Sequence, residues 1–187
     1  MNTAMKRART VVLAVAAGAA ALAASAQPSP EGGYLVAALG STSYEYDCWW
    51  FADCENARAT AAKIGGGWRF GVFAVEGWWI DYGSASIYPQ QQNARLHLRS
   101  LGLNAAWYLR LGSSVEGVLR AGAAQVSHER SGDGEQRSID ATFGLGLNVA
   151  LTPTAAVELA WDVTGAEGNN TGSTLASMVT VGLRLRF

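Results

Sequence analysis

In the stretch SMVTVGLRLRF, which runs to Phe187, apolar side chains recur at every second position. Leu175, Val179, Val181, Leu183, Leu185 and Phe187 share one face with Ser177, while Ala176, Met178, Thr180, Gly182, Arg184 and Arg186 share the other. A repeat of two belongs to a β-strand, whose successive side chains point to opposite sides. A helix would scatter the same residues around its whole circumference. The segment is therefore a strand between two different environments. What remains is to decide which environment each face meets.

The same alternation runs through most of the chain. In AKIGGGWRF, Ala62, Ile64, Gly66, Trp68 and Phe70 oppose Lys63, Gly65, Gly67 and Arg69. In SLGLNAAWYL, Leu101, Leu103, Ala105, Trp107 and Leu109 align. TFGLGLNVAL and AAVELAWDV form a hairpin around Thr152-Pro153-Thr154, with Phe143, Leu145, Leu147, Val157, Leu159 and Trp161 on one wall. With GYLVAALGSTSYEY, FAVEGWWIDYG, VEGVLRAGAAQV and the closing segment, the pattern predicts eight strands. Around Arg95–Ser100 the phase is ambiguous: Leu96 and Leu98 are out of step with Leu101, so a bulge or a longer loop is open.

The connections alternate in length. Short turns fall at 71–72, 112–114 and 152–154, and longer polar stretches at 47–60, 83–94, 128–138 and 164–173. That layout predicts an all-β fold: an eight-stranded antiparallel up-and-down transmembrane β-barrel. A soluble eight-stranded barrel with a ligand cavity is the competing fold, and it inverts the faces. Here the non-apolar faces are mostly Gly, Ala, Thr and Asn with an occasional charge, which suits a narrow lumen. A solvent-facing surface would carry far more charge. Trp68, Trp79, Trp107 and Trp161 lie on the apolar faces, as in an interfacial aromatic girdle.

The start of the chain reads as an export signal. Lys6, Arg7 and Arg9 precede an apolar run from Val11 to Ala24, and Ala24-Ser25-Ala26 offers a small-x-small cleavage site. The expected organisation is residues 1–26 as signal peptide and 27–187 as the barrel. Of 14 basic and 15 acidic residues, the signal takes three basic ones, leaving 11 against 15, a net charge of about −4. A chain without a basic stripe is not built to neutralise phosphates, so nucleic acid is not expected as a partner.

These segments together resemble small outer-membrane β-barrels of the OmpA transmembrane-domain type. The resemblance rests on GYLVAALGSTSYEY, KIGGGWRFGVFAVEGWWIDYG, LTPTAAVELAWDV and the closing VGLRLRF. It implies residence in the outer membrane of a Gram-negative cell, among outer-membrane lipid and lipopolysaccharide. It also implies that Val179, Val181, Leu183, Leu185 and Phe187 form the signal read by the barrel-assembly machinery. The sequence stops at the barrel, so the peptidoglycan-binding domain of full-length OmpA proteins has no counterpart in it.

Charges on the small-residue faces are the first candidates for a site: Lys63, Arg69, Glu76, Glu116, Arg120, Asp140, Glu158, Asp162, Arg184 and Arg186. Counting from the short turns brings Glu158 level with Arg184, and Glu76 close in height to Arg120. Buried charges need partners, so an ion-paired layer is expected across the lumen. In the resembled family such pairs obstruct the lumen; Asn148 and Glu158 here stand where that family has an acid and a base.

Cys48 and Cys54, in DCWWFADC, are the only cysteines. In an exported chain they predict a disulfide, closing a small ring that presents Trp49, Trp50 and Phe51. Two cysteines without a nearby histidine make no metal site, and no cofactor is expected. His128 and Ser131, with Glu129 and Glu135 near, faintly resemble the His, Ser and Glu of lipid A deacylases. There, however, one residue separates His from Ser, and here two do. The expected role is non-enzymatic: envelope integrity, or surface interaction through external loops whose partner the residues do not name. A narrow pore is the second reading and a lipid A-modifying enzyme a distant third.

Overall fold

The computed structural model describes residues 31–46, 57–86, 95–130, 134–168 and 172–187. They form eight strands: β1 (Glu31–Tyr46), β2 (Ala57–Phe70), β3 (Phe73–Ser86), β4 (Arg95–Arg110), β5 (Val115–Arg130), β6 (Gly134–Ala150), β7 (Ala155–Gly168) and β8 (Gly172–Arg186). Each pairs antiparallel with the next, and β8 pairs with β1, closing the barrel. From Phe70, successive partners are Phe73, Trp107, Leu119, Leu145, Trp161, Val179, Ser41 and Thr60. One circuit thus returns to β2 ten residues from where it began. Such a stagger requires strands tilted against the barrel axis.

Burial decides the orientation of the faces. Ile139 is 79 % exposed and Leu103 66 % exposed on the outside, while Arg184 and Glu158 are each 1 % exposed within. Water around the barrel would penalise that arrangement twice, once for the exposed apolar wall and once for the buried ions. Lipid around it removes the first penalty, and pairing within the lumen offsets the second. The apolar outer wall therefore faces lipid, and the barrel spans a membrane.

The strands, 14 to 17 residues long, exceed the roughly ten needed to cross a membrane. They extend into stretches whose polarity suggested loops: the hairpin of β5 and β6 continues to Arg130 and Gly134. Ser127, Glu129 and Arg137 there are polar residues on the outer face, so the amphipathic contrast that marks a strand is gone. The ambiguity at Arg95–Ser100 resolves on the neighbouring strand. β4 keeps its phase throughout, and β3 carries the irregularity, between Asp81 and Gly83. Leu98 therefore points into the barrel.

Two ladders stop before their strands do. β2 and β3 pair only as far as Ala62 with Asp81, and β6 and β7 only as far as Thr142 with Thr164. Beyond those points the far end of the barrel divides into two four-stranded sheets, β7–β8–β1–β2 and β3–β4–β5–β6. At the first division the Tyr44 hydroxyl donates toward the carbonyls of Tyr82 and Gly83 (3.0 and 2.9 Å), and Asp81 Oδ1 accepts from Gly83 N–H (2.8 Å). Side chains thus take up backbone groups that the interrupted ladder releases.

Trp68 and Trp107 stand near the short turns, where Phe73 stacks on Trp107 at 6.2 Å. Trp79 and Trp161 lie six residues into their strands, roughly 15 Å higher for tilted strands. The four tryptophans therefore occupy two levels of the lipid-facing wall. Trp161 satisfies its indole N–H on Ser177 Oγ at 2.7 Å.

Candidate functional site: the lumen

Even-numbered residues of β1, β3, β4, β5, β6, β7 and β8 and odd-numbered residues of β2 face inward over the regular ladders. This phase delivers the charges to one space. At its centre Arg120 Nε lies 2.7 Å from Glu76 and Arg120 Nη2 3.0 Å from Glu158. Arg184 Nη2 lies 2.5 Å from Glu158 and 3.6 Å from Glu76. Two guanidinium groups and two carboxylates make a neutral ring across the barrel, with both arginine side chains 1 % exposed.

Two tyrosines complete the ring. Tyr34 donates to Glu76 at 2.6 Å, and Tyr108 reaches Glu76 and the Tyr34 hydroxyl, each at 3.1 Å. Arg184 also donates to the Tyr108 hydroxyl, and its guanidinium lies 4.1 Å from the centre of the Tyr34 ring. Arg69, stacked 4.2 Å from the Tyr108 ring, forks onto Glu116 at 2.8 and 2.9 Å. Arg186 adds a contact to Glu116 at 3.3 Å, closing the short-turn end. Higher up, Lys63 holds Asp162 at 2.7 Å.

Glycine makes the space for this ring. A β-carbon at Gly146 would come within 2.8 Å of Arg120 Nη1, and one at Gly67 within 2.7 Å of the Tyr34 hydroxyl. The gap left beside the ring, bordered by Lys63, Glu76, Arg120, Glu158 and Arg184, has room for about 10 Å³. That is about the space of one water molecule.

Above the ions the lumen changes character. Tyr44, Trp78, Ile80, Tyr82, Leu98 and Met178 pack together, each 5 % exposed or less. The expectation of small residues on the lumen face therefore fails in this half, where large apolar and aromatic side chains fill the barrel. Asn104 links the two zones: with its amide oriented to satisfy both ends, the oxygen accepts from Trp78 Nε1 (2.8 Å) and the nitrogen donates to Thr142 Oγ1 (2.7 Å).

The structure brings Lys63, Glu76, Arg120, Glu158, Asp162 and Arg184 into contacts that join neighbours or cross the lumen, with the expected Glu158–Arg184 and Glu76–Arg120 pairs among them. Asp140 stands apart near the far end, accepting from Ser138 at 2.5 Å. Asn148 is buried with neither amide atom hydrogen-bonded. His128 sits inward on β5 beside Gln136 at 3.2 Å; Ser131, Glu135's side chain, Cys48, Cys54 and residues 1–26 lie outside the described residues. The alternation did carry a signal for the residues missed. Tyr34 and Tyr108 occupy the phase of the charges, and adjacent Trp78 and Trp79 must face opposite sides.

A family model described as "Outer membrane protein beta-barrel domain" matches residues 11–187. Among solved structures, Neisserial surface protein A is 17 % identical with a TM-score of 0.69, over 83 % of this chain and 97 % of that one. The outer membrane protein OprG of Pseudomonas aeruginosa is 12 % identical with a TM-score of 0.55, over 87 % and 99 %. The N-terminal β-barrel domain of Pseudomonas aeruginosa OprF is 17 % identical with a TM-score of 0.52, over 83 % and 98 %. At these identities the likeness is one of fold. No curated protein matches the sequence.

Proposed function

The chain belongs to the outer membrane protein beta-barrel domain family, and on that premise we propose that it is a closed, non-enzymatic barrel. Its role is envelope integrity or surface interaction through the external loops. The observation that carries this reading is the doubly sealed lumen. A pore needs a continuous polar path, and here the ionic ring of Arg120, Arg184, Glu76 and Glu158 lies beneath an apolar layer. Hydrated ions would have to break buried pairs and then shed water against Trp78, Leu98 and Met178.

In this reading the apolar outer wall is solvated by outer-membrane lipid and lipopolysaccharide, residues 1–26 direct export, and Cys48 and Cys54 staple one external loop. Val179, Val181, Leu183, Leu185 and Phe187 serve as the assembly signal. Deleting the gene and measuring sensitivity to detergents and bulky antibiotics tests the envelope role. Increased sensitivity, reversed by the intact protein and also by a variant with its external loops trimmed, supports it. Reversal by the intact protein alone assigns the work to the loops, and unchanged sensitivity removes the envelope role.

One observation favours the narrow pore as a second reading. Arg184 has Glu76 at 3.6 Å as a ready alternative to Glu158. Exchange of partners there would loosen the ionic ring, yet it leaves the apolar layer in place.

A further inference from the structure

On β1 the outward residues Leu35, Ala37, Leu39 and Ser41 are exposed, but Gly33, in the same row, is buried. Phe187 covers it. The two exchange both backbone hydrogen bonds: Gly33 N–H donates to Phe187 O at 3.1 Å, and Phe187 N–H donates to Gly33 O at 3.0 Å. The Phe187 ring lies so low over Gly33 that a β-carbon there would come within 2.5 Å of it. Gly32, with φ +126°, holds a conformation that residues with side chains rarely adopt. A β-carbon at Gly32 would also come within 2.8 Å of the Phe187 carbonyl oxygen. On its other side Gly33 pairs with Trp68.

The seam between β1 and β8 joins strands separated by the whole length of the barrel. Its loop-closure cost is therefore the largest of the eight pairings. An aromatic ring laid across a glycine of the neighbouring strand compensates for the missing side chain and pins the register. We propose that Gly33 forms a seat for the Phe187 ring, with Gly32 leaving room for the Phe187 carbonyl, and that docking of the ring there locks the β1–β8 seam. This contact lies within the chain and is distinct from recognition of Phe187 by an assembly machine. It gives the aromatic residue a second use after insertion.

The test refolds the purified protein from urea into detergent micelles, where no machinery is present. Closure is followed by electrophoresis of unboiled samples. Gly33→Val and the milder Gly33→Ala place a side chain in the seat. Gly77→Ala is the control, because a β-carbon there meets only Leu103, at 3.5 Å. Closure of Gly33→Val is expected to slow roughly tenfold or more, with Gly33→Ala intermediate and Gly77→Ala within about twofold of the parent. Phe187→Ala also slows closure, but combined with Gly33→Val it closes faster than Gly33→Val alone, since the clashing ring has gone. Closure of both Gly33 variants at the control's rate overturns the proposal. So does a double variant no faster than Gly33→Val, because the obstruction would then not be the ring.

Discussion

Arg184 holds Glu158 at 2.5 Å while its guanidinium lies over the ring of Tyr34, a residue of the strand to which β8 closes. One guanidinium thus ties β8 to β7 by an ion pair and, across the barrel's seam, to β1 by a cation–aromatic contact. Removing Glu158 leaves Arg120 and Arg184 with Glu76 alone, one buried positive charge in excess. Glu158→Ala is expected to cost about 3–5 kcal/mol in unfolding from lipid vesicles, the penalty of stranding a buried charge. Glu158→Gln with Arg184→Gln should recover much of that loss, because it removes both charges together. Urea titration of the single and double variants checks this.

The two adjacent tryptophans should behave differently. Trp78 is 5 % exposed inside the apolar layer, and Trp79 is 40 % exposed on the outer wall. Trp78→Ala leaves a cavity and an Asn104 oxygen without its donor, and is expected to destabilise by about 3–5 kcal/mol. Trp79→Ala opens no cavity in the lumen layer and should cost less than about half as much. Equal costs in urea unfolding contradict the assignment of faces.

At the bulge, Tyr44→Phe removes the one hydroxyl shared by the Tyr82 and Gly83 carbonyls. The expected loss is about 1–3 kcal/mol, as for buried acceptors left unsatisfied. Gly83→Ala adds a side chain at φ +78°, where a β-carbon would meet the Thr60 carbonyl at 2.3 Å. Both variants should speed amide hydrogen exchange locally, around residues 81–86, and leave β5 protected. Uniform acceleration across the barrel argues against a local role.

The glycines beneath the ionic ring offer a separate test. Gly146→Val would push on Arg120, and overpacking of this kind costs about 1–3 kcal/mol. At Gly112, where no atom lies within 4 Å of an added β-carbon, alanine should be tolerated. Thermal unfolding of the two variants in detergent should separate them.

Period-two alternation was enough to find eight strands, their closure into a membrane barrel and the inward charges. It works because lipid and lumen differ sharply in polarity, and that contrast is written at every second residue from Leu101 to Leu109. Beyond the apolar wall the contrast vanishes, which is why Glu129 and Arg137 read as loop. The apolar layer was hidden for a different reason. Leu98, Ile80 and Met178 are apolar residues on the lumen phase, and periodicity assigns residues to faces without saying what fills the interior. The bulge was visible only as a phase error, and from β4 alone it could not be assigned to β3. Pairing across the lumen, such as Lys63 with Asp162, depends on tilt and stagger that no single strand encodes.

The closed lumen is tested most directly by single-channel recording from the protein purified from outer membranes and reconstituted in a planar bilayer. Glu158→Gln and Trp78→Ala would be recorded under the same conditions. The doubly sealed barrel predicts no resolved conductance steps from the parent or from Glu158→Gln, because the apolar layer still closes the path. Reproducible steps in the parent that change size or frequency in Glu158→Gln would contradict the account and make the ionic ring the gate of a pore.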